Sequence, residues 1–270
     1  MAHINLRFMK IFTTKYTLLL LVVIGFGMMT SCKKGDNTGT VEEQIDSLKV
    51  GLIAYYPFNN SGIDYTGNGN DGFVYNITST SDRNGKANSA YYFDGATSNI
   101  RVTDNQALRL NNTDYTINTW EKLDSYGPTY GSIIVCKRGT GSTNGWNYGI
   151  HGYVGSNNAV LGQTTMQISG GLDITATGVK TLNTGTWYML TTVYSLSKHQ
   201  ITYYVNGVLD NVISNIPSPS ATTTSDMYIG SDNPVVSSSG YYFKGSLDDM
   251  RIYGRALTQA QIQKLYILTY

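Results

Sequence analysis

The sequence predicts an all-β fold. Tyr and Gly are abundant, with 22 Tyr and 29 Gly in 270 residues, whereas charged residues make up only 14%, so residues that favour strands and turns outweigh strong helix formers. Between about residue 50 and residue 253, short apolar runs alternate with clusters of Gly, Asn, Ser and Asp. Many short strands separated by turn residues are typical of a β-sandwich or β-barrel.

The apolar runs place the strands. The predicted strands cover residues 52–58, 72–77, 90–93, 115–122, 132–137, 148–153, 159–168, 187–194, 200–205, 226–230 and 241–253. After the run at 200–205 comes Asn206-Gly207, the strongest short signal for a tight hairpin turn because both residues tolerate positive φ.

One helix is expected, at the C-terminus. Thr258 and Gln261 have the spacing of a capping box, in which each side chain bonds the backbone N–H of the other residue. Ile262, Leu265 and Tyr266, with Ala260 before them, form an apolar stripe at helical spacing. This short helix is predicted to pack against the β-sandwich.

The N-terminal residues have the order of a bacterial lipoprotein signal. Lys10 and Lys15 precede an apolar stretch that ends in Ser31-Cys32, and this stretch is shorter than the roughly 18 residues that a membrane-spanning helix needs. We therefore predict a signal peptide at 1–31, a lipidated Cys32 and a flexible tether at 32–49, which would hold the domain at residues 50–270 on the outer membrane of the cell envelope. Met29 departs from the usual residue of a lipobox, and the alternative is an ordinary signal peptide.

The cysteine count and the charge balance exclude an internal disulfide and one class of partner. With Cys32 lipidated, Cys136 is the remaining cysteine, so an internal disulfide is excluded and Cys136 is predicted to be a packed small residue in a strand. Lys and Arg number 19 against 18 Asp and Glu, and they are scattered along the chain. Nucleic acid is therefore not an expected partner, because its binding requires a basic field.

Six segments resemble, in order, the bacterial laminin-G-like domains of the concanavalin A-like lectin and glucanase superfamily. They lie at residues 51–58, 64–72, 90–95, 115–120, 187–191 and 245–257. The resemblance spans about residues 50–270. It implies a two-sheet antiparallel jelly-roll sandwich that frequently carries calcium and is usually non-catalytic.

The residues themselves favour binding over catalysis. Retaining glucanases need two carboxyl groups roughly 5–5.5 Å apart, and those of this superfamily carry two glutamates around an aspartate on one strand. This sequence has only Glu42, Glu43 and Glu121, and the first two lie in the predicted tether. The glutamate pair is therefore absent, although an unrecognised glycosidase or lyase stays an alternative.

A calcium site is predicted at Asp64, Asn68 and Asp248. The first two lie in the loop Asp64-Tyr-Thr-Gly-Asn68, which offers carboxylate, amide and carbonyl oxygens of the kind that calcium binds. The resemblance implies that all three positions bear metal in relatives. First and last strands commonly lie side by side in antiparallel sandwiches, so the two segments could meet. The alternative is that Asp64 and Asn68 only stabilise a turn.

For ligand contact, the candidates are Trp146 and Tyr148. They follow a loop of Gly, Ser and Thr, and exposed rings are the usual platforms for a sugar's C–H face. Trp120 and Trp187 are predicted to be core residues. The sequence thus predicts a membrane-anchored, non-catalytic module that binds carbohydrate, the alternative partner being a cell-surface protein.

Overall fold

The computed structural model describes residues 47–127, 131–139, 144–152, 163–169, 173–216, 222–234 and 241–268. These residues belong to one compact unit. The predicted signal peptide, Cys32 and the tether up to residue 46 lie outside the described residues. No helix among the described residues is long and apolar enough to cross a membrane.

The larger of two antiparallel sheets has eight strands. Their order is β13-β12-β11-β6-β15-β4-β3, and β1 also pairs with β15. The bounds are Leu52–Tyr56 (β1), Thr78–Thr80 (β3), Ala90–Asp94 (β4), Tyr115–Leu123 (β6), Trp187–Ser195 (β11), Gln200–Val205 (β12), Val208–Ser214 (β13) and Lys244–Tyr253 (β15).

The smaller sheet has seven strands, in the order β10-β9-β8-β7-β14-β5-β2. The bounds are Gly72–Tyr75 (β2), Asn99–Val102 (β5), Ser132–Arg138 (β7), Gly145–Ile150 (β8), Thr164–Ser169 (β9), Asp173–Thr177 (β10) and Met227–Ile229 (β14). A 3-10 helix covers Gln106–Arg109. The two sheets and the single C-terminal helix confirm the predicted antiparallel sandwich.

Strand β6 shows how the sandwich buries both faces of the larger sheet. Tyr115, Ile117 and Leu123 belong to the main core, which combines residues of both sheets, whereas Trp120 points to the opposite face and joins a second cluster beneath the C-terminal helix. Because alternate residues of a strand face opposite sides, the even and odd positions of β6 serve two different cores.

The C-terminal helix (Gln259–Ile267) closes the second cluster. Thr258 Oγ1 accepts the Gln261 N–H at 3.3 Å, and Gln261 Oε1 accepts the Thr258 N–H at 3.1 Å, which confirms the predicted capping box. Ile262 and Leu265 are buried, while the Tyr266 ring stacks on Trp120 with centroids 5.5 Å apart.

The folded domain starts earlier than the predicted boundary at residue 50. Leu48 is buried in the cluster beneath the C-terminal helix, and the Ser47 carbonyl accepts a 2.8 Å hydrogen bond from the guanidinium of Arg255. Residues 47–49 are helical. They are therefore part of the domain and not of a flexible tether.

Two local predictions are confirmed. Asn206 and Gly207 have φ values of 53° and 74° and join β12 to β13, as expected of a tight hairpin turn. Cys136 is fully buried, and its thiol donates to Asp232 Oδ1 at 2.9 Å. Burial raises the pKa of the Cys136 thiol well above its usual range, so this residue is a packed structural group.

Strand β15 creates the local geometry on which the candidate site depends. Its first half pairs with β4, with Leu247 opposite Tyr91, and its second half pairs with β1, with Met250 opposite Tyr56. Between the two halves, Asp249 adopts a φ of 51° at a bulge relative to β6. Asp tolerates this left-handed conformation better than most residues, and the bulge lies where β4 gives way to β1.

Candidate functional site

The loop after β1 is built around the carboxylate of Asp64. Its Oδ1 accepts the backbone N–H of Tyr55 and of Thr66, each at 3.0 Å, and its Oδ2 accepts the N–H of Asn70 at 3.3 Å. Asp64 is buried. These bonds close the loop into one conformation and fix it to β1.

Asn68 ties the tip of the same loop to β1. Its side-chain amide donates to the carbonyl of Ile53 at 2.9 Å and to that of Leu52 at 3.2 Å. The loop therefore lies against the strand, and the residues between Asp64 and Asn68 are held at a fixed distance from it.

A groove of about 630 Å³ lies between this loop, β1 and the end of β15. This volume is within the roughly 300–1,000 Å³ that is usual for ligand sites. The groove combines rings, apolar side chains and polar groups. Its lining residues are Leu48, Lys49, Leu52, Tyr55, Pro57, Asn59, Tyr65, Thr66, Asn68, Arg251 and Tyr253.

Two tyrosines form an aromatic wall of the groove. Tyr65 is 57% exposed, and its ring meets that of Tyr55 edge to face, with centroids 6.2 Å apart. The guanidinium of Arg251 lies 4.1 Å from the centroid of the Tyr55 ring. An exposed ring supported by a second, fixed ring is suited to stacking against the C–H face of a sugar.

Asp249 holds the Tyr55 side of this wall in place. Its Oδ1 accepts the phenol of Tyr55 at 2.6 Å and lies 3.3 Å from Nη2 of Arg251. Asp249 is buried, as is Arg251. The carboxylate thus fixes both the ring of Tyr55 and the cation that packs on it.

A small polar pit of about 40 Å³ adjoins the groove and shares Tyr55, Pro57 and Asn59 with it. In the pit, Arg83 forms ion pairs with both Asp248 and Asp249, the latter at 2.8 Å. Burial, together with the charge of Asp249, raises the pKa of Asp248 to about 7, although Arg83 opposes this shift.

In this arrangement the three predicted calcium ligands, Asp64, Asn68 and Asp248, all make contacts within the protein. Both oxygens of Asp64 accept backbone N–H groups, Asn68 turns its amide nitrogen towards β1, and Asp248 is ion-paired with Arg83. Calcium needs about 6–8 oxygen ligands facing one point. No group of three or more His, Cys, Asp or Glu side chains in the described ranges is placed to hold a metal. The three residues fit the alternative structural role better.

The expectation that Trp146 and Tyr148 form an exposed platform is wrong. Strand β8 lies in the interior of the small sheet, between β7 and β9, and both rings point into the main core, with 1% and 0% of their surface exposed. The indole N–H of Trp146 donates to the Leu108 carbonyl at 3.1 Å. Trp120 is a buried residue of the second core cluster, as predicted, and Trp187 is partly buried against it.

Glu121 is placed inside the sandwich. The side chain is fully buried, and the backbone of Leu123 is the one hydrogen-bonding group that acts on its carboxyl among the described residues. Burial raises the pKa of this carboxyl well above its usual range. A carboxyl group enclosed in the core cannot meet a polysaccharide, and Glu42 and Glu43 lie outside the described residues.

The sequence contained the groove residues without revealing their role. Tyr55, Tyr65 and Arg251 all fall in segments that carry the family resemblance. Adjacent tyrosines at 55 and 56 do not indicate which ring faces out, and only the fold shows that Tyr56 is buried in the core while Tyr55 lines the groove. The clustering of tyrosines in β1 and the first loop was the sequence feature that could have indicated an aromatic groove.

The fold and the groove define a β-sandwich of the lectin type with an aromatic-lined surface cleft. The Laminin_G_3 family model, described as the concanavalin A-like lectin/glucanases superfamily, matches residues 65–263. The chain belongs to this family.

Several solved structures share the fold. Domain 4 of AbnA, an extracellular arabinanase from Geobacillus stearothermophilus solved with arabinotriose, has a TM-score of 0.60 at 23% identity, covering 80% of this chain and 98% of that domain. The binding domain of botulinum neurotoxin serotype D/C has a TM-score of 0.60 at 13% identity, over 81% of this chain and 52% of that one.

A structure of the type C neurotoxin, whose cell entry depends on two ganglioside molecules, has a TM-score of 0.60 at 12% identity, over 82% of this chain and 52% of that one. At these identities the likeness shows the fold alone. No curated protein sequence matches the chain.

Proposed function

We propose that the chain is a non-catalytic module that binds carbohydrate in the groove between β1, the first loop and the end of β15. The observation that carries this proposal is the Tyr65–Tyr55 wall, in which an exposed ring is supported by a ring that Asp249 and Arg251 fix. A wall fixed before the ligand arrives lowers the entropic cost of binding.

The composition of the groove supports a hydroxylated ligand. Asn59 brings an amide alongside the rings, and Asn68 brings an amide oxygen, since its nitrogen is bonded to β1. Such polar groups orient a ligand whose apolar face rests on an aromatic side chain. The AbnA domain was solved with arabinotriose, and cell entry of the type C neurotoxin depends on two ganglioside molecules. Both relatives favour the same class of ligand here.

The test is a glycan array that covers plant, algal and host oligosaccharides, probed with the purified protein and with Tyr65→Ala. We expect a defined set of glycans to bind, and we expect Tyr65→Ala to lose most of that binding because the exposed platform is gone. Tyr266→Ala is the matched control, since Tyr266 is 39% exposed and does not line the groove. Binding that Tyr65→Ala leaves unchanged would exclude the groove.

The second part of the proposal concerns location: the chain is anchored to the outer membrane through lipid on Cys32. It is supported by the order of Lys10, Lys15, the apolar stretch and Ser31-Cys32 in the sequence. Detergent-phase partitioning and fatty-acid labelling in the native host test it. Both should be lost in Cys32→Ala, and a variant that still partitions and labels as the parent does would show that Cys32 is not the anchor.

A further inference from the structure

Exposed aromatic side chains also occur outside the groove lining. Phe73 is 55% exposed and Tyr75 is 44% exposed. They are two residues apart in β2, so both side chains lie on one face of the strand. Strand β2 is an edge strand of the small sheet, and neither residue lines the groove.

The Phe73 ring is held by a chain of interactions across the sheet. Phe73 pairs with Arg101 on β5, and the guanidinium carbon of Arg101 lies 5.4 Å from the ring centroid. Arg101 Nε lies 3.7 Å from Asp226 Oδ2, and Asp226 Oδ1 accepts the backbone N–H of Asp104 at 3.0 Å. The exposed ring therefore rests on a cation that a fixed carboxylate orients.

Tyr228 is a buried neighbour of this surface, with 6% of its own area exposed. It lies opposite Arg101 on the neighbouring strand β14, so its side chain is on the same face of the sheet. Burial, with smaller effects of the nearby Asp226 and Tyr75, raises the pKa of the Tyr228 phenol. The surface thus combines two exposed rings with a guanidinium whose side chain is 41% exposed and a carboxylate that is 28% exposed.

We propose that Phe73, Tyr75 and Arg101 form a second carbohydrate-contact surface on the outer face of the small sheet. This proposal rests on the proposed function, since it assigns the same class of ligand to another face. The ring of Phe73 stacks on the C–H face of one sugar residue, while Arg101 and Asp226 donate to and accept from its hydroxyl groups.

The polar groups beside the rings favour a glycan over a protein as the partner. A surface that docks a protein is expected to have a desolvated apolar centre depleted of acidic residues. Here the exposed rings lie directly beside the Arg101–Asp226 ion pair, whose side chains are 41% and 28% exposed although the paired Nε atom is buried. An aromatic platform bordered by both donors and acceptors matches a polyhydroxylated ring. Two separate contact surfaces on one module would increase its avidity for a long polysaccharide.

Affinity electrophoresis in native gels cast with arabinan, xyloglucan or laminarin tests this proposal. We expect at least one polysaccharide to retard the purified protein. Phe73→Ala and Tyr65→Ala should each reduce that retardation several-fold, and the double variant should migrate as in a gel without polysaccharide. Val208→Ala is the control, because Val208 is 64% exposed on β13, an edge strand of the other sheet.

The outcomes separate the two proposals. Retardation that Tyr65→Ala reduces and Phe73→Ala leaves unchanged would overturn the second surface while the groove stands. Absence of retardation in every gel would count against both. Sedimentation velocity gives the remaining outcome: self-association that Phe73→Ala abolishes would assign the surface to contacts between copies of the chain and would overturn the glycan proposal.

Discussion

The phenol of Tyr55 donates a 2.6 Å hydrogen bond to the carboxylate of Asp249, across 194 residues of chain. This bond joins the first strand of the domain to the bulge in its last strand. It also connects the aromatic wall of the groove to the buried ion pairs of Arg83. The same contact therefore links the aromatic wall of the groove to the region where β1 pairs with β15.

Replacing Tyr55 by Phe tests whether this contact supports ligand binding. Tyr55→Phe keeps the ring that faces Tyr65 but removes a hydrogen bond to a charged acceptor, of a kind that contributes about 1.5–3 kcal/mol. We expect a several-fold loss of glycan affinity by calorimetry. Tyr266→Phe is the control, because it also removes a phenol hydroxyl and Tyr266 does not line the groove. Equal affinities of Tyr55→Phe and the parent would show that the bond does not support the groove.

The buried carboxyl of Glu121 predicts a pH-dependent stability. Because its folded-state pKa is well above the usual value of 4.5, the folded protein keeps a proton that the unfolded chain loses. The free energy of unfolding should then fall as pH rises above about 4.5, by at most about 1.4 kcal/mol per pH unit from this group.

Glu121→Gln should flatten that dependence, since the amide has a similar shape and does not titrate. The measurement is urea unfolding at several pH values between 5 and 8 for both proteins. Asp248, whose pKa is raised to about 7, also lowers the free energy of unfolding as pH rises. It does so in both proteins, so the difference between their pH profiles reports on Glu121. Parallel pH profiles would contradict its buried, protonated state.

The placement of Trp146 predicts a large effect on stability. Trp146→Ala removes a ring that is 1% exposed in the main core, and such truncations cost about 3–5 kcal/mol. Tyr65→Ala removes an exposed ring and should cost well under half as much. Urea midpoints compare the two variants. A small loss for Trp146→Ala would mean that this indole is exposed, as the sequence first suggested.

Calcium should have little effect on melting through Asp64, Asn68 and Asp248, because their polar groups are engaged within the protein. Thermal unfolding with calcium and with chelator measures this. A rise of several degrees in calcium that Asp64→Ala and Asp248→Ala both remove would establish the shared ion that the family resemblance implies.

Much of the fold could be predicted because apolar alternation and turn residues are local signals. The strands at 115–122, 187–194 and 200–205 coincide closely with β6, β11 and β12. The strands β3 and β5 were missed because β3 consists of Thr and Ser and β5 contains only two apolar residues. Strand β13 was missed because its apolar residues are exposed at a sheet edge, as for Val208 and Leu209.

The site was harder to predict, because it depends on which segments meet. Trp146, Tyr148 and Ile150 alternate along the chain, and this spacing of two residues indicates one buried face of a strand. The Gly-rich loop before them led instead to the prediction of exposed rings. Asp249 could not be assigned a role, since its contact with Tyr55 depends on the register of β1 against β15. The polar composition of the first loop was visible in the sequence, but the hydrogen bonds that Asp64 and Asn68 form to β1 depend on the fold.

The most direct test of the carbohydrate-binding groove is the mapping of amide chemical shifts by NMR while the best glycan from the array is added. We expect saturable changes in the amide chemical shifts of Asn59, Tyr65, Thr66 and Asn68, and of residues at the end of β15. These shifts should disappear in Tyr65→Ala. A glycan that binds the protein while these amides stay unmoved would contradict the assignment of the groove as the binding site.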